Sequence, residues 1–247
     1  MLSIQEIESQ CGPLDENSLL LFDVDMVLTQ PKESAYQLPN LTRHAVILRE
    51  MIMELPGSTK DLLACLTMVE SHSMLIESQA PKIIQEFQNK CPVLALTAAL
   101  TGKIDNIERF EDWRFETLAK FGIDFSKAFE TNERIVFNQL SSHRNNYPVY
   151  DRGILYANGE QGRHHKGDVL VQFLKRFNCT PKKIILVDDR KRNLQLVSAS
   201  LAAYDEKCQF VGLHYQGGFH YKSKPITAEV CISKLQKLVD KAIQIDK

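Results

Sequence analysis

Leu19-Leu20-Leu21-Phe22-Asp23-Val24-Asp25-Met26-Val27-Leu28-Thr29 is an apolar run that ends in two carboxylates spaced two apart, with turn-prone Gln30-Pro31 behind it. The run is short and barely interrupted, which predicts a strand buried on both faces, as in a parallel sheet. Ligands of open parallel sheets bind beyond the carboxyl ends of the strands, so Asp23 and Asp25 fall at the ligand end. Side chains two apart on a strand point the same way, and a bend after the strand lets both carboxylates reach one site. Two carboxylates that close require a metal, another cation or a shared proton. The plain alternative is a polar strand end that caps a neighbouring helix.

Three further segments read as buried strands. Cys91-Pro92-Val93-Leu94-Ala95-Leu96-Thr97 ends in a hydroxyl, Lys183-Ile184-Ile185-Leu186-Val187-Asp188-Asp189 ends in two more carboxylates, and Gln209–Tyr215 is the fourth. Tyr147–Gly159 reads as two short strands of a candidate hairpin. Helical spacing marks residues 3–11, 80–89, 106–121, 190–202 and 227–244, and a helix opens at Lys166-Gly167 and runs through Phe177. Strands alternating with helices imply a parallel sheet with right-handed crossovers, a Rossmann-like α/β fold. Between Pro31 and Ser78 the pattern is helical throughout: Leu41, Ala45, Leu48 and Ile52, a break at Pro56-Gly57, then Leu62, Leu63, Leu66 and Val69. It has no convincing strand and reads as an insertion at 32–78. The core is then 1–31 plus 79–247, with a small hairpin insertion within 124–163 and a tail helix, 227–247, packed on the sheet.

Composition narrows the function. The chain has 247 residues, 44% hydrophobic and 25% charged, with a formal net charge of -1, so no general electrostatic case for nucleic acid exists. No apolar stretch approaches the roughly 18 residues of a spanning helix. The N-terminus carries acids where a secretory signal needs a basic and then an apolar run. The six cysteines are scattered without a C-x-x-C pair, which disfavours zinc knuckles and redox dithiols and suits a reducing cytosol.

In a parallel sheet the strand ends bring Asp23, Asp25, Thr97, Asp188 and Asp189 to one edge, with Lys166 opening the helix between the last two strands. Carboxylate oxygens suit Mg²⁺, a lysine balances anionic charge and a hydroxyl donates to phosphate oxygens, the inventory of a phosphoryl-transfer site.

On these residues the sequence resembles the haloacid dehalogenase-like (HAD) phosphatases. D-x-D after an apolar strand is Asp23-Val24-Asp25, the Ser/Thr motif is Thr97, the lysine motif is Lys166, and the D-D motif is Asp188-Asp189 with Asn193 beyond. The resemblance covers roughly residues 1–215. It is nearer still to a branch of that family in intracellular bacteria such as Legionella, Coxiella and chlamydiae, through the short helix before the first motif and Gly212-Leu213-His214-Tyr215. The family's usual Gly-Thr after D-x-D is Met26-Val27 here.

The resemblance implies a HAD core with a helical cap inserted after the first motif, and Mg²⁺-dependent phosphomonoester hydrolysis through an aspartyl-phosphate. It implies Asp23 as nucleophile and Mg²⁺ ligand, and Asp25 as general acid and base with its carbonyl on the metal. Thr97, the backbone of Ala98, and Lys166 hold phosphate. Asp188 is the direct ligand, with Asp189 and Asn193 acting through the metal's water shell. The expected substrate is phosphotyrosine on a protein or peptide, as for a bacterial effector delivered into a host cell. A modest insertion would leave an open approach, and His214, Tyr215, Phe219, His220 and Tyr221 would stack at the pocket mouth. A small-metabolite phosphatase, a phosphotransferase and a non-catalytic HAD-fold binding module are the rivals. His164 and His165 read as an exposed pair, and Asp105, Glu108, Glu111 and Asp112 as an exposed helix face.

Overall fold

The computed structural model describes residues 1–129, 131, 133–159 and 164–246. Its strands are β1 (Ser18–Phe22), β2 (Thr29–Pro31), β3 (Ser73–Leu75), β4 (Val93–Thr97), β5 (Ile135–Val136), β6 (Val149–Asp151), β7 (Ile154–Tyr156), β8 (Lys183–Asp188) and β9 (Gln209–His214). The helices are α1 (Ile7–Cys11), α2 (Leu38–Arg43), α3 (Ala45–Met53), α4 (Gly57–Glu70), α5 (Ala80–Gln88), α6 (Phe110–Lys120), α7 (Lys166–Phe177), α8 (Lys191–Tyr204) and α9 (Ala228–Ile245).

The main sheet runs β5-β6-β7-β4-β1-β8-β9. β1 pairs in parallel with both β4 and β8, and the β4–β7 and β8–β9 pairs are parallel too. The protein is therefore α/β with a mostly parallel central sheet. The alternation of β1 divides the interior into two cores. Leu20 and Phe22 join Val93, Ala95 and Ile84 on one side, while Leu19 and Leu21 join Val169, Phe173 and Val197 of α7 and α8 on the other.

The hairpin β6–β7 turns at Arg152 (φ 49°) and Gly153 (φ 78°), the paired positive φ of a tight primed turn. A Cβ on Gly153 would stand 2.0 Å from the Phe125 carbonyl oxygen, so only glycine fits. This hairpin continues the central sheet through β7. Residues 160–163, at the end of the stretch expected to hold it, lie outside the described residues.

Between β1 and β4 the structure departs from expectation in two ways. The segment taken to lack a strand contains β3, which pairs antiparallel with β2 in a sheet of its own. The run from Leu41 to Ile52 is two helices, α2 and α3, broken at His44 (φ -105°, ψ 16°).

The tail helix was expected on the sheet. α9 instead packs on α3 and α4. Its apolar stripe Cys231, Leu235, Leu238, Val239 and Ala242 is buried there. Tyr36 Oη donates to the Lys234 carbonyl at 2.9 Å, the Asn40 amide donates to Ser223 Oγ at 2.9 Å, and the Ser58 hydroxyl donates to Asp246 at 2.8 Å. Helices α3 and α4 and the tail helix thus pack together.

Candidate active site

β1, β4 and β8 are adjacent and parallel, so their C-terminal groups meet at one edge. Asp23, just past β1, is 7% exposed and Asp188, the last residue of β8, is 0% exposed. Lys166 Nζ lies between them, 2.8 Å from Asp23 Oδ2 and 2.7 Å from Asp188 Oδ2. The lysine is set by the start of α7. There the His165 side chain accepts from the Gly167 N–H while Asp168 accepts from the His165 N–H, a reciprocal cap. Gly167 lets α7 approach α8: a Cβ there would fall 2.6 Å from Ser200 Oγ and 3.0 Å from Val197 Cα.

Asp188 is further held by the Arg190 N–H at 2.8 Å and by the Asn193 amide, 3.1 Å from each carboxylate oxygen. Asn193 therefore touches Asp188 directly. One carboxylate oxygen from each of Asp23, Asp188 and Asp189 lies within 4.8 Å of the others. Burial pushes the Asp23 carboxyl well above the usual carboxylate range; Lys166 opposes this, and Asp188 and Asp189 add to it. Lys166 is pushed up despite burial because two carboxylates flank its ammonium. The carboxylate oxygens of Asp23, Asp188 and Asp189 form a donor set that fits Mg²⁺.

Thr97 ends β4, buried, and its Oγ1 accepts from the Ala99 N–H at 3.2 Å. Asp23, Asp25, Thr97, Ala98 and Asp189 all border one cavity of about 390 Å³. Its opposite wall is built from α2, α3, α4 and α9. The cavity lies between the strand ends and this helical layer and is partly open to solvent, with exposed Ala64 on its border.

Asp25 follows the bend after β1. Met26 takes the left-handed conformation (φ 65°), where many proteins place glycine, and its N–H donates to the Thr29 carbonyl at 2.6 Å. The two Asp25 oxygens each accept a 2.7 Å hydrogen bond from Arg114, whose side chain is fully buried while that of Asp25 is 30% exposed. The guanidinium carbon sits 5.4 Å from the Phe110 ring and 5.1 Å from the Trp113 ring. Arg114 was not singled out from sequence. The signal was there: Phe110, Arg114 and Leu118 lie on one helical face, and an arginine within an apolar stripe needs an anionic partner.

Other expectations are corrected. His214 to Tyr221 does not border the cavity. Tyr215 is fully buried and donates to Glu77 at 2.9 Å, and His214 Nε2 lies 3.0 Å from the Asp189 carbonyl oxygen. His164 is buried, with Nε2 2.6 Å from the Ala157 carbonyl oxygen, not exposed. Glu111 is buried as well, accepting from Arg134 at 2.8 Å and from the Gly102 N–H at 2.9 Å.

Residues 1–244 match a family model described as "Protein of unknown function (DUF2608)". An uncharacterized protein of Rickettsia bellii is 30% identical over 207 residues, 82% of this chain and 69% of that one. An uncharacterized protein of Rickettsia conorii is 34% identical over 154 residues, 62% of this chain and 51% of its own length. One from Rickettsia prowazekii is 37% identical over 143 residues, 57% of this chain and 47% of that protein. The chain thus aligns with about half to two thirds of these relatives. No solved structure matches. Among the described residues no helix is long and apolar enough to cross a membrane.

Proposed function

The chain belongs to the DUF2608 family, and from the site it carries we propose a Mg²⁺-dependent phosphomonoester hydrolase of the HAD kind, working through an aspartyl-phosphate on Asp23. The observation that carries this reading is Lys166 bridging Asp23 and Asp188 at 2.8 and 2.7 Å beneath a cavity bordered by Asp25, Thr97 and Ala98.

When bound by Asp23, Asp188 and Asp189, Mg²⁺ supplies charge neutralisation and alignment of the phosphoryl group. Asp23 attacks phosphorus, the bond to the ester oxygen breaks, and Asp25 gives that oxygen its proton. Water then attacks the phosphorus of the aspartyl-phosphate. Asp25 takes the water's proton, phosphate leaves, and the Asp23 carboxylate is restored. Lys166 fixes the attacking carboxylate and offsets the negative charge around it. Thr97 and the backbone of Ala98 hold the phosphoryl oxygens. Arg114 orients Asp25, so proton transfer requires that carboxylate to loosen from at least one of its two hydrogen bonds.

The aliphatic side chains that border the cavity support a small phosphate ester over phosphotyrosine on a protein, and the aromatic stretch invoked for phosphotyrosine does not line that cavity. The test is turnover of small phosphate esters with Mg²⁺, comparing the protein with Asp23→Asn, together with trapping by beryllium fluoride. Turnover and trapping that both vanish in Asp23→Asn support the reading. Full activity in Asp23→Asn overturns the nucleophile. Ligand binding without any turnover in the unsubstituted protein points to the non-catalytic module.

A further inference from the structure

Opposite the carboxylates, the cavity is walled by Leu41 of α2, Leu48 and Ile52 of α3, Leu63 and Met68 of α4, and Leu235 of α9. Four polar side chains share that wall, and each already has a protein partner. Lys60 Nζ donates to the Met53 carbonyl at 2.7 Å on the exposed side of α4. The Thr67 hydroxyl donates to the Leu63 carbonyl at 2.7 Å, and the Tyr36 hydroxyl to that of Lys234 at 2.9 Å. Asp61 faces His143, with 3.1 Å between Oδ2 and Nε2. The wall therefore presents mostly hydrocarbon, and the Thr67 and Tyr36 hydroxyl donors on it are already spent on backbone carbonyls.

We propose, on the basis of the hydrolase reading above, that the substrate is the phosphate monoester of a small apolar alcohol, with its hydrocarbon part seated against this wall. A molecule bridging the cavity meets anion-holding chemistry at the floor and aliphatic side chains at the roof. A sugar or nucleoside would lay hydroxyls against this aliphatic surface, at a cost of about five- to a hundredfold in affinity for each group left unsatisfied. An alkyl chain gains with every methylene removed from water. At about 390 Å³ the cavity takes a small molecule, not a lipid with two long chains.

The experiment measures kcat/KM with Mg²⁺ for n-alkyl phosphates from methyl to hexyl, beside glycerol phosphate, glucose 6-phosphate, AMP and a phosphotyrosine peptide. Binding of the matching n-alkyl phosphonates is followed by calorimetry. Both series are expected to rise about three- to fourfold per methylene until the cavity fills. Leu41→Asn, at a partly exposed wall position, flattens that slope. Ala64→Phe, at an exposed position that also borders the cavity, lowers the optimal chain length. A flat chain-length series, or a sugar phosphate, nucleotide or phosphopeptide exceeding hexyl phosphate tenfold, overturns the apolar substrate. If Asp23→Asn still abolishes that turnover, the hydrolase stands. Turnover of none of these esters sinks the hydrolase, and this inference with it.

Discussion

Arg114, with no solvent exposure, grips both oxygens of Asp25 at 2.7 Å each, so α6 and the bend after β1 are joined by a charged fork that crosses the edge of the site. Such a pair fixes direction as well as charge, because the planar guanidinium presents two parallel donors. Arg114→Lys keeps the charge and loses the fork. We expect kcat to fall at least tenfold on alkyl phosphates with KM nearly unchanged, and less on aryl phosphates. Arg114→Met is expected to lower stability by about 2 kcal/mol, below the usual cost of breaking a buried pair because Asp25 can hydrate. Urea unfolding measures this; an unaltered midpoint together with unaltered kcat removes Arg114 from the site.

The two aspartates of the first motif separate by leaving group. Asp23→Asn is expected to eliminate turnover for every ester. Asp25→Asn is milder on an aryl phosphate than on an alkyl one, because an aryl oxide departs with little need of a proton. Equal losses on both ester classes contradict the role of Asp25 as acid.

Stability should depend on pH through Asp23. Its folded carboxyl titrates above the ordinary value because of burial, so between the unfolded value of about 3.9 and the folded one the native state binds the extra proton. Stability then falls as pH rises through that interval. Metal-free protein is expected to melt higher at pH 5 than at pH 7.5, and Asp23→Asn to reduce the difference. Lys166 acts in the same direction at the alkaline end: its raised value keeps its contribution intact below about pH 10 and loses it as pH rises further. Melting followed by circular dichroism across pH tests both; a metal-free Tm that climbs from pH 5 to 7.5 refutes the Asp23 assignment.

Chelation should abolish hydrolysis and Mg²⁺ restore it, with Mg²⁺ raising Tm at pH 7.5 in a manner lost in Asp188→Asn. Ca²⁺ should bind and inhibit, since its larger shell can engage both oxygens of Asp23 and occupy the attacking one. Undiminished activity in excess chelator rules out the metal.

The helical roof can be tested apart from the chemistry. Leu238 is 6% exposed on the stripe that α9 lays on the inserted helices. Leu238→Ala is expected to cost about 2–4 kcal/mol. An unchanged urea midpoint denies the packing.

Much of this architecture could be read along the chain. An apolar run ending in a carboxylate or hydroxyl is a local pattern, so the ends of β1, β4 and β8 were visible and their convergence followed from parallel order. α7 was legible to its first residue because Lys166-Gly167 opens an amphipathic stretch. β3 was not: Ser73-Met74-Leu75 is three residues long and exists by pairing with Thr29–Pro31. The stretch from His214 misled because an aromatic ring with a polar end is equally at home in a core, where Tyr215 has Glu77. The partners of Arg114 and of α9 are fixed only in three dimensions.

The joining of α9 to α3 and α4 also bears on the order in which the molecule is made. A growing chain can assemble β1, β4 and β8 once residue 188 has emerged, yet α3 and α4 still show water the face that α9 will cover. Until residues 228–245 follow, the nascent protein holds its carboxylate cluster under an unfinished roof. Contacts this distant in sequence are slow to form, and apolar surface left waiting for them invites holding by chaperones or aggregation. Synthesis halted before residue 228 would therefore leave a sticky intermediate, with the face of α3 and α4 that α9 covers still open to water.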